Sequence, residues 1–215
     1  WQTAPGSDLP THVAHVGLAE GADLLVIAPA TADTIARMAH GMANDLLTIT
    51  ALAAQCPVLV APAMDGGMYA HSATQANVAA LATRGLTILP PAEGRFASGL
   101  VGQGRLPETP TIMGAIRALL GQNGRLRGRR VVVTAGGTRE ALDPVRYLTN
   151  RSSGKQGYAL AQAALDAGAQ VTLITAARLE TPYGAQLIAV DSAREMQAAV
   201  LEQTRVPLAR QTTGQ

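Results

Sequence analysis

Aromatic side chains are scarce in this sequence of 215 residues: one Phe, one Trp and four Tyr make up 3% of it. Gly and Ala are plentiful instead, which suits a globular α/β protein with closely packed helices and strands. Cysteine is scarcer still. A single residue, Cys56, excludes an intrachain disulfide framework and fits a reducing compartment. Excess charge is lacking too, since seventeen basic and fifteen acidic side chains leave +2, which gives no basis for nucleic-acid binding. Runs such as "LLVIAPA" are far too short to span a bilayer, and no signal peptide opens the sequence. The expectation is a soluble, cytoplasmic protein that binds neither membrane nor nucleic acid. No internal repeat at solenoid periods occurs.

What is present is an alternation of short apolar runs with longer helical patterns. Strands are predicted at 24–28, 57–61, 86–89, 130–134, 170–175 and 186–190. They are rich in Val, Ile and Leu with little polar alternation, as parallel strands buried on both faces require. Helices are predicted at 31–40, 45–54, 73–83, 111–120, 156–167 and 192–202. The last begins "SARE", in which Ser192 and Glu195 form a capping box. Repeated strand, loop and helix predicts two Rossmann-like parallel-sheet domains of α/β class, both incomplete. The polar, basic, Gly-rich segment 121–129 marks the boundary, giving domains over 1–121 and 129–215 with a linker over 122–128.

Ligands of open parallel sheets bind at the carboxyl ends of the strands. Four loops there have unusual composition. "APATADT" places Thr31, Asp33 and Thr34 after Ala30, at a helix start, as either ordinary caps or a polar cradle. "APAMDGGMYAH" offers Met64 and Met68 for an apolar slot and Asp65 as its polar group; core methionines in a plain loop are the alternative. "GRFASGLVGQGRLPE" carries a GxxGxG-like spacing at Gly99, Gly102 and Gly104, but no strand is read into it, so a dinucleotide site fails its context.

The fourth loop runs from "TAGGTREALDPVRYL" into "TNRSSGKQG". Gly136 and Gly137 follow a strand, where backbone amides approach a phosphate closely. Asn150, Ser152, Ser153, Gly154 and Lys155 then lead into a helix, and a helix start with two hydroxyls and an ammonium favours polyanions. Thr149 and Gln156 stand where a Walker loop needs Gly and Ser or Thr, so this is no P-loop. The second strand of this half ends in "ITAAR", without the acid a Rossmann NAD site uses, and a non-standard triphosphate pocket fits better. The remaining candidate, His15, sits on an amphipathic stretch where a lone histidine is usually structural.

Together these loops resemble the bifunctional phosphopantothenoylcysteine decarboxylase/phosphopantothenate–cysteine ligase family of coenzyme A biosynthesis. "HVGLAEGADLLVIAPATADTIARMAHGMANDLL" is similar to the flavoprotein half with its histidine motif and PASANT-like segment. "PAMDGGMY" resembles the PxMNxxMW substrate clamp, and "TAGGTREALDPVRYLTNRSSGKQG" the opening of the ligase half. The resemblance implies FMN-dependent decarboxylation of 4′-phosphopantothenoylcysteine to 4′-phosphopantetheine, with His15 as base. Ala30, Thr31, Asp33, Thr34, Met64 and Met68 then line the cofactor site. It implies a ligase half that joins 4′-phosphopantothenate to cysteine through an acyl-cytidylate, using CTP and Mg²⁺. Asn150 handles that intermediate, Arg146 is a functional arginine, and Gly136, Gly137, Ser152, Ser153, Gly154 and Lys155 form the phosphate pocket. Homo-oligomers are implied, with trimer contacts in the first half and dimer contacts in the second.

Three departures from the family pattern bear on activity. Asp65 replaces the clamp's Asn and adds charge beside an acidic substrate. Ser98 stands where the family commonly has a proton-donating Cys, and a hydroxyl is a far weaker acid. Segments that the family carries before Trp1 and after Gln215 are absent, so the sequence reads as a fragment lacking both ends, expected to bind FMN poorly and not to complete ligation. Rivals are a stand-alone flavoprotein, such as a peptide cysteine decarboxylase or flavin prenyltransferase, and an inactive regulatory subunit.

Overall fold

The computed structural model describes residues 14–95 and 101–205, which form two compact units divided between Leu120 and Gly121. Both are α/β units built on Rossmann-like parallel sheets.

The first contains α1 (Ala14–Glu20), β1 (Leu25–Ala30), α2 (Ala32–His40), α3 (Leu46–Ala53), β2 (Val58–Pro62), α4 (Gly66–Ala70), α5 (Ser72–Thr83) and β3 (Thr87–Ile88). β1, β2 and β3 pair in that order, all parallel, with Val26 opposite Leu59 and Val60 opposite Ile88. Every residue of β2 is buried, which is why its sequence is apolar without alternation. Local sequence sets the ends of α2. Thr34 N–H donates to Thr31 Oγ at 3.2 Å, and Gly41, at φ 69°, donates its N–H to the carbonyls of Arg37 and Met38. Between these caps Ile35 and Ala39, one turn apart, enter a core shared with Ile27, Val60 and Leu81.

Beyond β3 the chain departs from expectation. The glycine-rich stretch after Gly94 reads as a loop with no strand leading into it. Instead β4 (Ala92–Arg95) and β5 (Val101–Arg105) pair antiparallel, and α6 (Thr109–Gly121) follows. Gly102 and Gly104 lie on β5, and a strand so poor in β-branched residues carries no periodic signal. α1 and α4 also escape the sequence pattern, because seven and five residues are too few to show a helical period.

The second unit contains β6 (Arg130–Ala135), β7 (Arg139–Ala141), β8 (Tyr147–Thr149), α7 (Lys155–Asp166), β9 (Gln170–Thr175), β10 (Gln186–Ala189) and α8 (Ala193–Thr204). Its main sheet has the order β10-β9-β6, all parallel, while β7 and β8 form a separate antiparallel hairpin that the sequence pattern did not reveal. The core gathers Leu173 and Val171 of β9 against Tyr158, Ala161 and Leu165 of α7. Small residues on α7 let it lie close to the sheet. A Cβ added at Gly157 would meet the Ala135 Cβ at 2.6 Å. The box read from "SARE" is formed, with the Ser192 side chain accepting from Glu195 N–H and the Glu195 carboxylate accepting from Ser192 N–H.

Candidate functional site

In the second unit the carboxyl end of β6 turns sharply at Gly136. Its φ is 85°, and a Cβ there would lie 2.6 Å from the Ala177 backbone N. Gly154, at φ 78°, approaches the same Ala177 from the start of α7, where a Cβ would meet the Ala177 Cβ at 2.5 Å. These two glycines draw the end of β6, the loop after β9 and the first turn of α7 into one corner. Tyr158 of α7 ties the corner together, donating its hydroxyl to the Ala177 carbonyl at 3.3 Å.

The corner opens as a cleft of about 450 Å³. Gly136, Ser152, Ser153, Gly154 and Lys155, all singled out from sequence, line it together, with Arg151, Thr134 and Gln156 beside them. Arg151 is a lining cation that the sequence analysis did not assign, although it lies inside the quoted loop. Asn150 and Gly137 meet at the rim, where a Cβ on Gly137 would fall 2.6 Å from the Asn150 carbonyl oxygen. That oxygen accepts from Ser152 N–H at 2.8 Å and so starts the turn into the cleft.

Two helices begin at this end of the unit, and they differ. α8 is capped by its own Ser192 and Glu195, and the two backbone N–H donors it receives, Asp191 first and Ser192 next, hold the Glu195 carboxyl below the ordinary glutamate value. α7 starts from Gly154, which has no side chain with which to cap it. With Arg151, Lys155 and two hydroxyls around that N-terminus, the cleft has the chemistry of a polyanion site.

Arg146 lies apart from this lining, at the tip of the β7–β8 hairpin, with 76% of its side chain exposed. Asp143 engages it there: its Oδ1 accepts from Val145 and Arg146 N–H, and its Oδ2 accepts from Arg146 Nε at 2.6 Å. The Val145 amide, then the Arg146 guanidinium and amide, hold the Asp143 carboxyl below its usual value.

In the first unit the loops after β1 and β2 lie side by side, joined by Ala63 N–H donating to the Ala30 carbonyl at 2.9 Å. Met64 N–H donates to Gly104 of β5 at 2.9 Å, which brings the hairpin alongside. The Thr31 and Thr34 hydroxyls are 3.1 Å apart. Asp33 is held by Arg37 through contacts at 3.1 and 3.0 Å, and Arg37 also reaches Asp45, the cap of α3. The Thr48 amide, the Thr48 hydroxyl and then Arg37 lower the Asp45 carboxyl from its usual value. Asp65 caps α4, its Oδ1 accepting from Gly67 N–H at 3.0 Å, a bond that the amide oxygen of Asn forms equally well. Met68 is half exposed beside it. His15 is half-buried on α1, which packs against α3. Ser98 lies outside the described residues. Among the described residues no three His, Cys, Asp or Glu side chains gather to hold a metal ion, and no helix is long and apolar enough to cross a membrane.

Fold and loops together define a pair of Rossmann-like α/β units whose ligand loops follow parallel strands. The chain belongs to the flavoprotein family: the Flavoprotein model matches residues 2–121. The model for the DNA/pantothenate metabolism flavoprotein C-terminal domain matches residues 126–208. The chain is 53% identical over 190 residues to the coenzyme A biosynthesis bifunctional protein CoaBC of Vibrio vulnificus (strain YJ016), covering 88% of this chain and 47% of that protein. It is 51% identical over 200 residues to the protein of the same name from Mycobacterium tuberculosis (strain ATCC 25618 / H37Rv), with 90% and 48% covered. A solved PPC decarboxylase mutant complexed with pantothenoylaminoethenethiol is 35% identical, with TM-score 0.49, over 52% of this chain and 62% of that one. The chain thus spans about half the length of the curated relatives it matches.

Proposed function

We propose that this chain carries the catalytic loops of both reactions of a bifunctional coenzyme A biosynthesis enzyme: CTP-dependent ligation of 4′-phosphopantothenate with cysteine, then FMN-dependent decarboxylation of the product to 4′-phosphopantetheine. The observation that carries the ligase reading is the start of α7, which has no side-chain cap from Gly154 and is ringed by Arg151, Ser152, Ser153 and Lys155. The triphosphate of CTP binds there. Backbone amides and the helix dipole face its negative oxygens, and the two cations neutralise it. Asn150, next in the chain to the lining residue Arg151, orients the acyl-cytidylate for attack by the amine of cysteine. Mg²⁺ enters with the nucleotide as its counter-ion. Arg146 reaches the substrate from the hairpin tip after exchanging its bond to Asp143 for one to an anionic group.

In the first unit the donor set fits a flavin. The Thr31 and Thr34 hydroxyls supply hydrogen bonds and the half-exposed Met68 offers an apolar face to a flat ring, while Ala30 is fully buried and Met64 packs against the core, so both support the site from beneath. FMN, when bound, supplies the redox chemistry of decarboxylation. His15 moves the proton at the substrate thiol. Asp65, whose Oδ1 accepts from Gly67 N–H as the cap of α4, orients the substrate as a hydrogen-bond acceptor, and Ser98 stands at the sequence position of the final proton donor. Arg37 neutralises Asp33, which keeps a second acid from repelling an anionic ligand. The working enzyme is a homo-oligomer, with trimer contacts from the flavoprotein unit and dimer contacts from the ligase unit.

The test is an amide NMR titration of the whole chain with millimolar CTP and Mg²⁺. The expected result is shifts confined to Gly136 and residues 151–157. Silence there, with shifts at the start of α8 instead, removes the ligase reading.

A further inference from the structure

The β7–β8 hairpin joins the Gly136–Gly137 turn to Asn150, yet it buries little. Leu142, Val145 and Leu148 are 60%, 86% and 62% exposed, so apolar packing does not fix its position. Polar bonds to the start of α8 do. Arg139 N–H donates to the Asp191 carbonyl at 2.8 Å, and Arg139 Nη1 donates to Asp191 Oδ1 at 3.0 Å. The capping box of α8 occupies the amides of Asp191, Ser192 and Glu195 and leaves that of Ala193. That amide donates to Glu140 Oε1 at 2.9 Å, across 53 positions of sequence. Glu140 pairs with Leu148, and Arg139 with Thr149, so the strand anchored on α8 sets the register of the strand that leads into Asn150.

We infer that Glu140 is a positioning residue for the α7 cleft, latching the hairpin to α8 so that Asn150 and the turn to Ser152 stay seated over Gly137. The inference rests on the reading of that cleft as a polyanion site. A carboxylate on a helix N-terminus suits the latch because the dipole and a free N–H both favour it. Gln keeps the acceptor oxygen, whereas Ala removes the bond.

The experiment compares the whole chain with Glu140→Ala and Glu140→Gln, by hydrogen exchange and by titration with inorganic tripolyphosphate. In Glu140→Ala, exchange at Leu142 and Leu148, the amides that the hairpin pairing holds, rises about five- to tenfold while β9 keeps its protection. Tripolyphosphate affinity falls with it, and Glu140→Gln restores both. Unchanged exchange in the hairpin, or a rise spread equally over β6 and β9, overturns the latch. Altered exchange with unaltered affinity overturns the positioning role. A parent chain that ignores tripolyphosphate removes the reading of the cleft, and the exchange arm still decides the latch.

Discussion

Gly154 shows how much a single residue decides here. Its φ of 78° is one that a side chain tolerates at a cost of roughly 1–2 kcal/mol. The Cβ of Gly154→Ala would also press on the Ala177 Cβ at 2.5 Å, a contact that neither backbone can relieve without moving the corner. We expect Gly154→Ala to lose more than about 2 kcal/mol of stability in urea unfolding, and to weaken tripolyphosphate binding, because the same shift displaces the first turn of α7. Retained stability with retained binding would mean that the corner is softer than its contacts indicate. Asp143 makes a different prediction. Its carboxyl titrates below the ordinary aspartate value because the Val145 amide and then Arg146 favour the ionised form. A depressed value stabilises the hairpin tip above the unfolded aspartate pKa, about 3.9, and the effect is lost as pH falls through the folded value. The Val145 and Arg146 amide resonances should therefore titrate with a midpoint below that of an unstructured aspartate. A midpoint at or above it would contradict the bonds described.

At the scale of elements, α8 gives the simplest test of how local sequence fixes structure. Ser192→Ala removes one half of the box and should cost about 1 kcal/mol, while Ser192→Gly costs a few tenths, measured as a change in unfolding midpoint. That helix was legible in sequence because its caps are adjacent in the chain. The parallel strands were legible too, since burial on both faces leaves continuous Val, Ile and Leu, as in β2 and β9. The two hairpins were not. β7 and β8 have three residues each, and Arg139 and Glu140 tie them to Asp191 and Ala193, 52 and 53 positions away, which no local window contains. The cleft was half legible for the same reason. Ser152, Ser153 and Lys155 are contiguous and announce an anion site, whereas Ala177, which sets the corner against Gly136 and Gly154, arrives from the loop after β9. Arg146 was legible as a residue but not as a position, because Asp143 and the hairpin turn decide where it points.

At the scale of the whole chain, each unit has its own core, and the two cores share no residue. Leu59 lies fully buried in the first sheet and Leu173 in the second. Replacing either by Ala removes buried methyl groups and leaves a cavity, which costs about 2–5 kcal/mol. If the units are energetically separate, Leu59→Ala lowers the unfolding transition of the first alone and Leu173→Ala that of the second, so unfolding should not be treated as one all-or-none step. The costs in the double variant should then add within about 0.5 kcal/mol, as for sites without shared partners. Under the proposed function the separation has a consequence: with the two sets of loops in different units, one activity can be lost without the other. Calorimetry of the parent, both single variants and the double variant decides it. A single transition that both substitutions lower together, with a coupling above about 0.5 kcal/mol, would show that the units stabilise each other. A defect in either half would then reach both reactions.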